Sequence, residues 1–179
     1  MNSKPPATPA GSAPCNLHPV TCTLRFAEES DLPALMALIN QAFKVEAFFI
    51  VRDRLTPDET HAYFQKGRFL LAEENGALAG VVYVELRGDR SYLGLLSVNP
   101  SLQKTGLGHR LMAAAEEFAR EMGSHNMDLT VVNLRTELPP FYRKLGYVED
   151  GTAPIRPDMV PRVTRPCHFI KMTKPLGGG

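Results

Sequence analysis

The chain has no tryptophan, only three cysteines in 179 residues, and no apolar run approaching the roughly 20 residues that cross a bilayer. Each shortage excludes something. Cys15, Cys22 and Cys167 are odd in number and form no close ligand-like pair, so neither a disulfide framework nor a metal site is expected, and a reduced cytoplasmic setting is. An excess of one charge sign is also missing. Twenty Lys and Arg stand against 19 Asp and Glu, a net charge of +1, which removes the usual electrostatic argument for a nucleic-acid or anionic-membrane partner. What is present is ordinary for a globular protein: 44% apolar and 22% charged residues, enough chain for one domain with its own core, and no internal repeat.

Met1 to Pro14 is rich in Pro, Ala, Ser and Gly and lacks the apolar centre of a secretory signal. Such a segment cannot bury enough surface to offset its ordering entropy. Residues 1–20 are therefore expected to be a disordered tail, 21–176 the folded domain and 177–179 a flexible end.

Within the domain, Thr21 to Phe26 alternates like a strand. Ser30 or Asp31 can cap a helix whose buried stripe is Leu32, Leu35, Met36, Ile39, Ala42 and Phe43. Thr56-Pro57-Asp58-Glu59 has capping-box spacing with Pro at the first helical position. Arg68 to Glu73, Ala77 to Leu86 and Ser91 to Val98 read as a three-strand meander, with Asn75-Gly76 and Arg87 to Arg90 as its turns. A helix runs from Gly106 to a stop at Gly123, and Met127 to Val132 reads as a strand buried on both faces. A short helix follows Pro139-Pro140, and Tyr147 onward and Cys167 to Thr173 are the last strands, separated by a Pro-rich loop from Ala153 to Pro166. The order β-α-α-β-β-β-α-β-α-β-β describes a mixed α/β domain.

Gln103 to Arg110 is the segment with chemistry in it. A strand ends at Val98, a turn with Pro100 follows, and Gly106 and Gly108 open a helix whose unpaired amides and positive dipole end favour a phosphate. Glycine side chains cannot hold a pyrophosphate away from those amides, and Lys104, His109 and Arg110 add charge and donors. The plain alternative is a strand-to-helix turn that needs glycine only for its backbone angles. A dinucleotide fold would want glycine where Leu111 stands and a strand opening the domain directly before the loop.

Val98 to Gly108, with Gln103-Lys104-Thr105-Gly106-Leu107-Gly108 at its end, resembles the acetyl-CoA motif of the GNAT N-acetyltransferase superfamily, Arg/Gln-x-x-Gly-x-Gly/Ala. Asn133 to Tyr147, including Phe141-Tyr142-Arg143-Lys144-Leu145-Gly146-Tyr147, resembles its second motif, and the strand order agrees. The resemblance implies a mixed, mostly antiparallel twisted sheet flanked by helices, the acyl-CoA N-acyltransferase fold. It implies acetyl-CoA as acyl donor, with the backbone of Leu96, Ser97 and Val98 on the pantetheine arm and Gln103, Lys104, Thr105, Gly106, Leu107 and Gly108 on the pyrophosphate. His109, Arg110 and Asn133 complete the donor-binding set. The two strands on either side of the motif should splay apart near Met127 to admit the thioester.

Acyl transfer to an amine needs an acid for the departing thiolate and a sink for the acceptor's proton. Tyr142 matches the tyrosine that serves as thiolate acid in the family, and a phenol stays protonated at neutral pH. The alternative is a half-buried aromatic that packs the short helix, where Phe141 and Leu145 already supply packing. Family members carry a base at positions that here hold Tyr92 and Gly94. Glu85 is the substitute: if Leu86 and Ser91 bracket the turn, Glu85 lies across from Tyr92 and shares its face. It could instead be an exposed strand residue paired with Arg87 or Arg90, or water alone could carry the proton. The family builds its acceptor pocket from the first helices and last strands, which nominates Asn40, Glu46, Phe49, Arg54, Tyr92 and His168. Arginines there suit a carboxylate and hence an amino-acid-like amine. The resemblance thus implies an acetyl-CoA-dependent N-acetyltransferase acting on a small amine. Acetylation of protein or peptide amines and a non-catalytic acyl-CoA sensor are the alternatives, and a homodimer is compatible with the family.

Overall fold

The computed structural model describes residues 22–177; the tail expected over 1–20, the expected strand start at Thr21 and residues 178–179 of the expected flexible end lie outside the described residues. The elements follow the expected order: β1 (Cys22–Phe26), α1 (Leu32–Ala42), α2 (Pro57–Lys66), β2 (Arg68–Glu74), β3 (Ala77–Arg87), β4 (Arg90–Val98), α3 (Leu107–Glu121), β5 (Asn126–Val132), α4 (Leu138–Lys144), β6 (Val148–Pro154) and β7 (His168–Pro175). The strands form one sheet in the order β1-β2-β3-β4-β5-β7-β6, antiparallel at every junction except the parallel pair β4–β5.

Helices cover both faces, which explains why β2 and β3 are apolar runs rather than alternating strands. On one face Leu70, Ala72, Val82, Val84 and Leu93 pack against Leu111, Met112, Ala115 and Ala119 of α3. On the other, Phe69, Leu71, Val81 and Tyr83 pack against Leu35, Leu38 and Ile39 of α1. α3 is also tied to β7 by polar contacts. Glu116, 7% exposed, accepts from the Tyr147 hydroxyl at 2.9 Å and from Lys174 Nζ at 2.6 Å.

Local signals are used where the sequence places them. Thr56 accepts from the Glu59 amide, and the Glu59 carboxylate accepts from the Thr56 amide, both halves of a capping box. Asn75 and Gly76 both have positive φ, 52° and 78°, as a type I′ hairpin turn requires. The start of α1 differs from expectation. Asp31 precedes it without capping it; its carboxylate accepts instead from the Glu28 amide and from Arg25, which folds Glu29–Asp31 into a 3-10 turn. β5 also differs. Asp128 and Thr130 are half-buried rather than buried, because the sheet opens beside them. The β6 edge is exposed along nearly its whole length and is broken by an irregularity at Glu149/Thr152, a device that discourages pairing with another chain's edge. Among the described residues no helix is long and apolar enough to cross a membrane.

Candidate active site

The site begins with a defect in β4. Val81 pairs with Ser97 and Tyr83 with Gly94, so Leu95 and Leu96 together face the single residue Val82, a β-bulge. Leu95 sits at φ 54°, an uncommon conformation for a bulky side chain and one that concentrates at functional sites. The extra residue flips the strand's parity. Leu93 packs in the α3-side core, Leu95 in the α1-side core, and Leu96 and Val98 return to the α3 side.

The bulge coincides with the expected splay. β4 and β5 pair only at Arg90–Asn126, Ser91–Met127 and Tyr92–Asp128; beyond that rung Leu93 to Val98 has β3 on one edge and no strand on the other. The unpaired edge, which includes Leu96, Ser97 and Val98, runs toward the loop before α3. There Gly106 takes φ 87°, which an L side chain rarely adopts, and a Cβ at Gly108 would meet only Val98 Cγ2, at 3.8 Å. Arg110 is the first α3 amide with a backbone acceptor, the Gly106 carbonyl at 3.1 Å. Gly106, Leu107, Gly108 and His109 have none among the described residues, and the first turn carries no acidic side chain. Gln103, Lys104 and Thr105 are exposed, with Lys104 at φ 66°, and the Thr105 hydroxyl donates to the Leu102 carbonyl. An open helix N-terminus at the end of an unpaired strand edge fits a pyrophosphate carrying an extended arm. His109 stands edge-on to Phe141 with ring centroids 5.4 Å apart, bringing the start of α3 against α4.

Tyr142 lies on α4, 8% exposed, edge-on to Phe141 and Tyr147. Burial pushes its phenol pKa well above the ordinary value, the nearby Tyr92 phenol adds to this, and Arg135 partly offsets it. Its hydroxyl has no hydrogen-bond partner among the described residues. Tyr92 and Thr130, on the two parting strands, join hydroxyls across the gap at 3.2 Å. Both line a cavity of about 480 Å³ on the α1–α2 face, bounded by α2, the end of β3 and the loop between β6 and β7. Glu85 is in this cavity and pairs directly across from Tyr92, the register expected. Both of its oxygens are engaged, by the Tyr83 hydroxyl at 3.0 Å and by Arg87 Nε at 2.7 Å. The Arg87 hydrogen bond holds its pKa below the usual value against the opposing effect of burial.

The nominated acceptor residues separate. Arg54 and Tyr92 line the cavity. Phe49 does not: it has no exposed surface and packs with Val132, Met159 and Phe169, because the bridge between Ile50 and Val163 turns its ring into the core. Asn40 borders a smaller adjoining cavity of about 230 Å³, but its amide is spent on Leu55, donating to the carbonyl at 2.9 Å and accepting from the amide at 2.8 Å. Glu46, 5% exposed, borders the same cavity and pairs with Arg135 at 3.0 Å, its other oxygen unpartnered; burial raises its pKa. His168 is exposed and its neighbour Phe169 lines the main cavity, so strand alternation turns the imidazole away. On the donor side, Asn133 Oδ1 accepts from the His168 amide at 2.9 Å, tying the end of β5 to β7, and Arg110 reaches the Cys22 carbonyl at 3.4 Å. Tyr63, Arg87, Thr130, Arg156, Met159 and Phe169 were not expected in the site. Only Thr130 had a visible signal, as a polar residue within the apolar β5 run. The doubled Leu95-Leu96, which breaks β4's alternation, was the corresponding signal for the bulge.

Residues 37–164 match the family model described as an acetyltransferase (GNAT) domain. The L-amino acid N-acyltransferase MnaT of Escherichia coli (strain K12) is 26% identical over 144 residues, covering 74% of this chain and 83% of that protein. The L-methionine sulfoximine/L-methionine sulfone acetyltransferase of Salmonella typhimurium is 26% identical over 145 residues, with the same coverage of 74% and 83%. Among solved structures, yncA of Salmonella typhimurium with its cofactor acetyl-CoA superposes with a TM-score of 0.68 at 21% identity, covering 88% of this chain and 95% of that one. The family model spans well over half of the chain, from α1 through the loop before β7, and the chain belongs to the GNAT family of acetyltransferases.

Proposed function

We propose that the protein transfers an acetyl group from acetyl-CoA to the amine of a small, amino-acid-like acceptor. The observation that carries this reading is the position of the acceptor cavity, which meets the gap between β4 and β5 at Tyr92 and Thr130. The names of the two curated relatives support the acceptor class.

The donor supplies an activated acetyl carbonyl as a thioester. The amides of Gly106 to His109 hold its pyrophosphate, with Lys104 and Arg110 adding charge, and the free edge of Leu96 to Val98 holds the pantetheine arm. As the N–C bond forms and the C–S bond breaks, the Tyr142 hydroxyl donates to the departing sulfur, which leaves as the CoA thiol, and Tyr142 regains a proton from solvent. Its raised pKa keeps it neutral in the resting site and makes it a weak acid. Glu85 takes the amine's proton through water in the cavity. Its lowered pKa keeps it ionised at neutral pH and makes it a weak base, so its contribution is the smaller of the two. A cytoplasmic location belongs to the same reading, supported by the free Cys22 and Cys167.

The test is an acceptor panel of amines, amino acids and peptides with acetyl-CoA, followed by release of free thiol. Transfer to one or more amino acids is expected. Tight CoA binding with no transfer to any amine would identify a sensor, and transfer to peptides alone would move the acceptor class.

A further inference from the structure

The end of β3 holds an arginine that the chemistry above does not use. Arg87 Nε donates to Glu85 Oε1 at 2.7 Å, and its guanidinium carbon lies 4.3 Å from the centroid of the Tyr92 ring. Glu85 is itself steadied from the core, since its second oxygen accepts at 3.0 Å from Tyr83, a residue with no exposed surface. The guanidinium plane is therefore fixed along one edge by a carboxylate and on one face by an aromatic ring. Its two terminal nitrogens have no hydrogen-bond partner among the described residues, and the side chain is 51% exposed on the cavity wall. Tyr92 is the last rung before β4 and β5 part, so this free fork lies beside the point where the thioester would enter.

The other cavity arginines are placed differently. Arg162 is bound to Glu59 at 2.5 Å and anchors the β6–β7 loop to α2. Arg156 is shared between the Tyr63 hydroxyl and Asp158. Arg54 lies against the Phe43 ring, on the side shared with the smaller cavity.

We propose that Arg87 is the receptor for a carboxylate on the acceptor, making it the residue that selects amino acids over simple amines. A planar fork with one edge already committed presents its remaining donors in the geometry a carboxylate accepts, with little side-chain freedom left to lose. Glu85 then has a second task, orienting Arg87. The inference rests on the reading that an amine is acetylated in this cavity.

The experiment compares thiol release for each common L-amino acid and its α-carboxamide, using wild type, Arg87→Met and Arg87→Lys. Wild type is expected to favour the acid over its amide by about 10- to 100-fold in kcat/KM, the worth of one charge-assisted pair. In Arg87→Met that ratio falls to about one, with the loss carried by KM for the acids, and Arg87→Lys recovers part of it. Acetyl-CoA affinity, measured by calorimetry, confirms that each variant is folded. A wild-type ratio near one, or equal losses on acids and amides in Arg87→Met, would overturn the inference while leaving acetyl transfer intact. Absence of transfer to any acid or amide would instead count against the acetyl-transfer reading. In that event, calorimetry of N-acetyl amino acids and their amides on the CoA-loaded protein decides Arg87: an acid preference lost in Arg87→Met supports its role, and equal binding overturns it.

Discussion

Tyr142 keeps its proton because burial disfavours the phenolate and the Tyr92 phenol adds to that effect. Replacing it by Phe preserves the ring contacts with Phe141 and Tyr147 and removes only the hydroxyl. Tyr142→Phe is expected to lower kcat by about 100-fold, the ordinary worth of a general acid, with acetyl-CoA affinity unchanged. Unchanged kcat in a thiol-release assay would make Tyr142 a packing residue. Glu85→Gln keeps the shape of the corner but not its charge, and a loss of about 10-fold is expected at saturating acceptor, since a carboxylate held below its usual pKa is a weak base. Both residues were nominated from the sequence, Tyr142 by its motif and Glu85 by a hairpin whose register follows from its turn, and the Glu85–Tyr92 pairing is the one expected. Asn40 and Asn133 were misread for one reason: a polar side chain beside a site looks the same in sequence whether it faces a ligand or clamps a neighbouring backbone. Asn40 clamps Leu55, and Asn133 clamps His168.

Between elements, ion pairs and buried polar contacts do what caps and turns do within them. Arg25 on β1 holds Asp31, at the entry to α1, through two hydrogen bonds of 2.7 and 2.9 Å, lowering the carboxyl pKa from 3.8 to about 2. A folded-state pKa below the unfolded value gives stability that is fully present above about pH 4 and lost as pH falls toward 2. Asp31→Asn should therefore unfold at lower urea than wild type at pH 6, with the difference shrinking as pH falls through about 2. A gap as large at pH 2 as at pH 6 would show that the pairing is not its source. Glu116 joins α3 to β7, and Glu116→Ala would leave the Tyr147 hydroxyl and Lys174 without their acceptor. A loss of about 3 kcal/mol is expected from urea midpoints, the low end for a broken buried pair because Lys174 is partly exposed. The capping box of α2 and the Asn75-Gly76 turn were readable because each is a short-range pattern with one physical meaning. The Asp31 arrangement was not, because its partner Arg25 belongs to the preceding strand and competes with the cap.

At the scale of the whole molecule, the parting of β4 from β5 lies between two features: the open α3 N-terminus along one strand edge, and the polar cavity on the α1–α2 face. The element order and the open α3 N-terminus were legible in the sequence, since the motif, the strand before it and the helix after it are contiguous. The cavity was not, because it is assembled from distant segments. Arg162 meets Glu59 across the cavity, and Phe169 rather than His168 faces inward through an alternation that depends on the β7 register. The proposed chemistry depends most on acyl-donor binding at Gln103 to Gly108. Its most direct test is calorimetric titration of acetyl-CoA into wild type and Gly106→Glu, with circular dichroism to establish that both are folded. Gly106 is at φ 87° with nothing within 4 Å of an added Cβ, so a side chain there costs about 1–2 kcal/mol of backbone strain and projects a negative charge into the open helix end. Wild type is expected to bind, and folded Gly106→Glu to lose at least about 10-fold in affinity, as removal of one charge-assisted anion contact would. Equal affinity in the two folded proteins would contradict the placement of the acyl donor at Gln103 to Gly108.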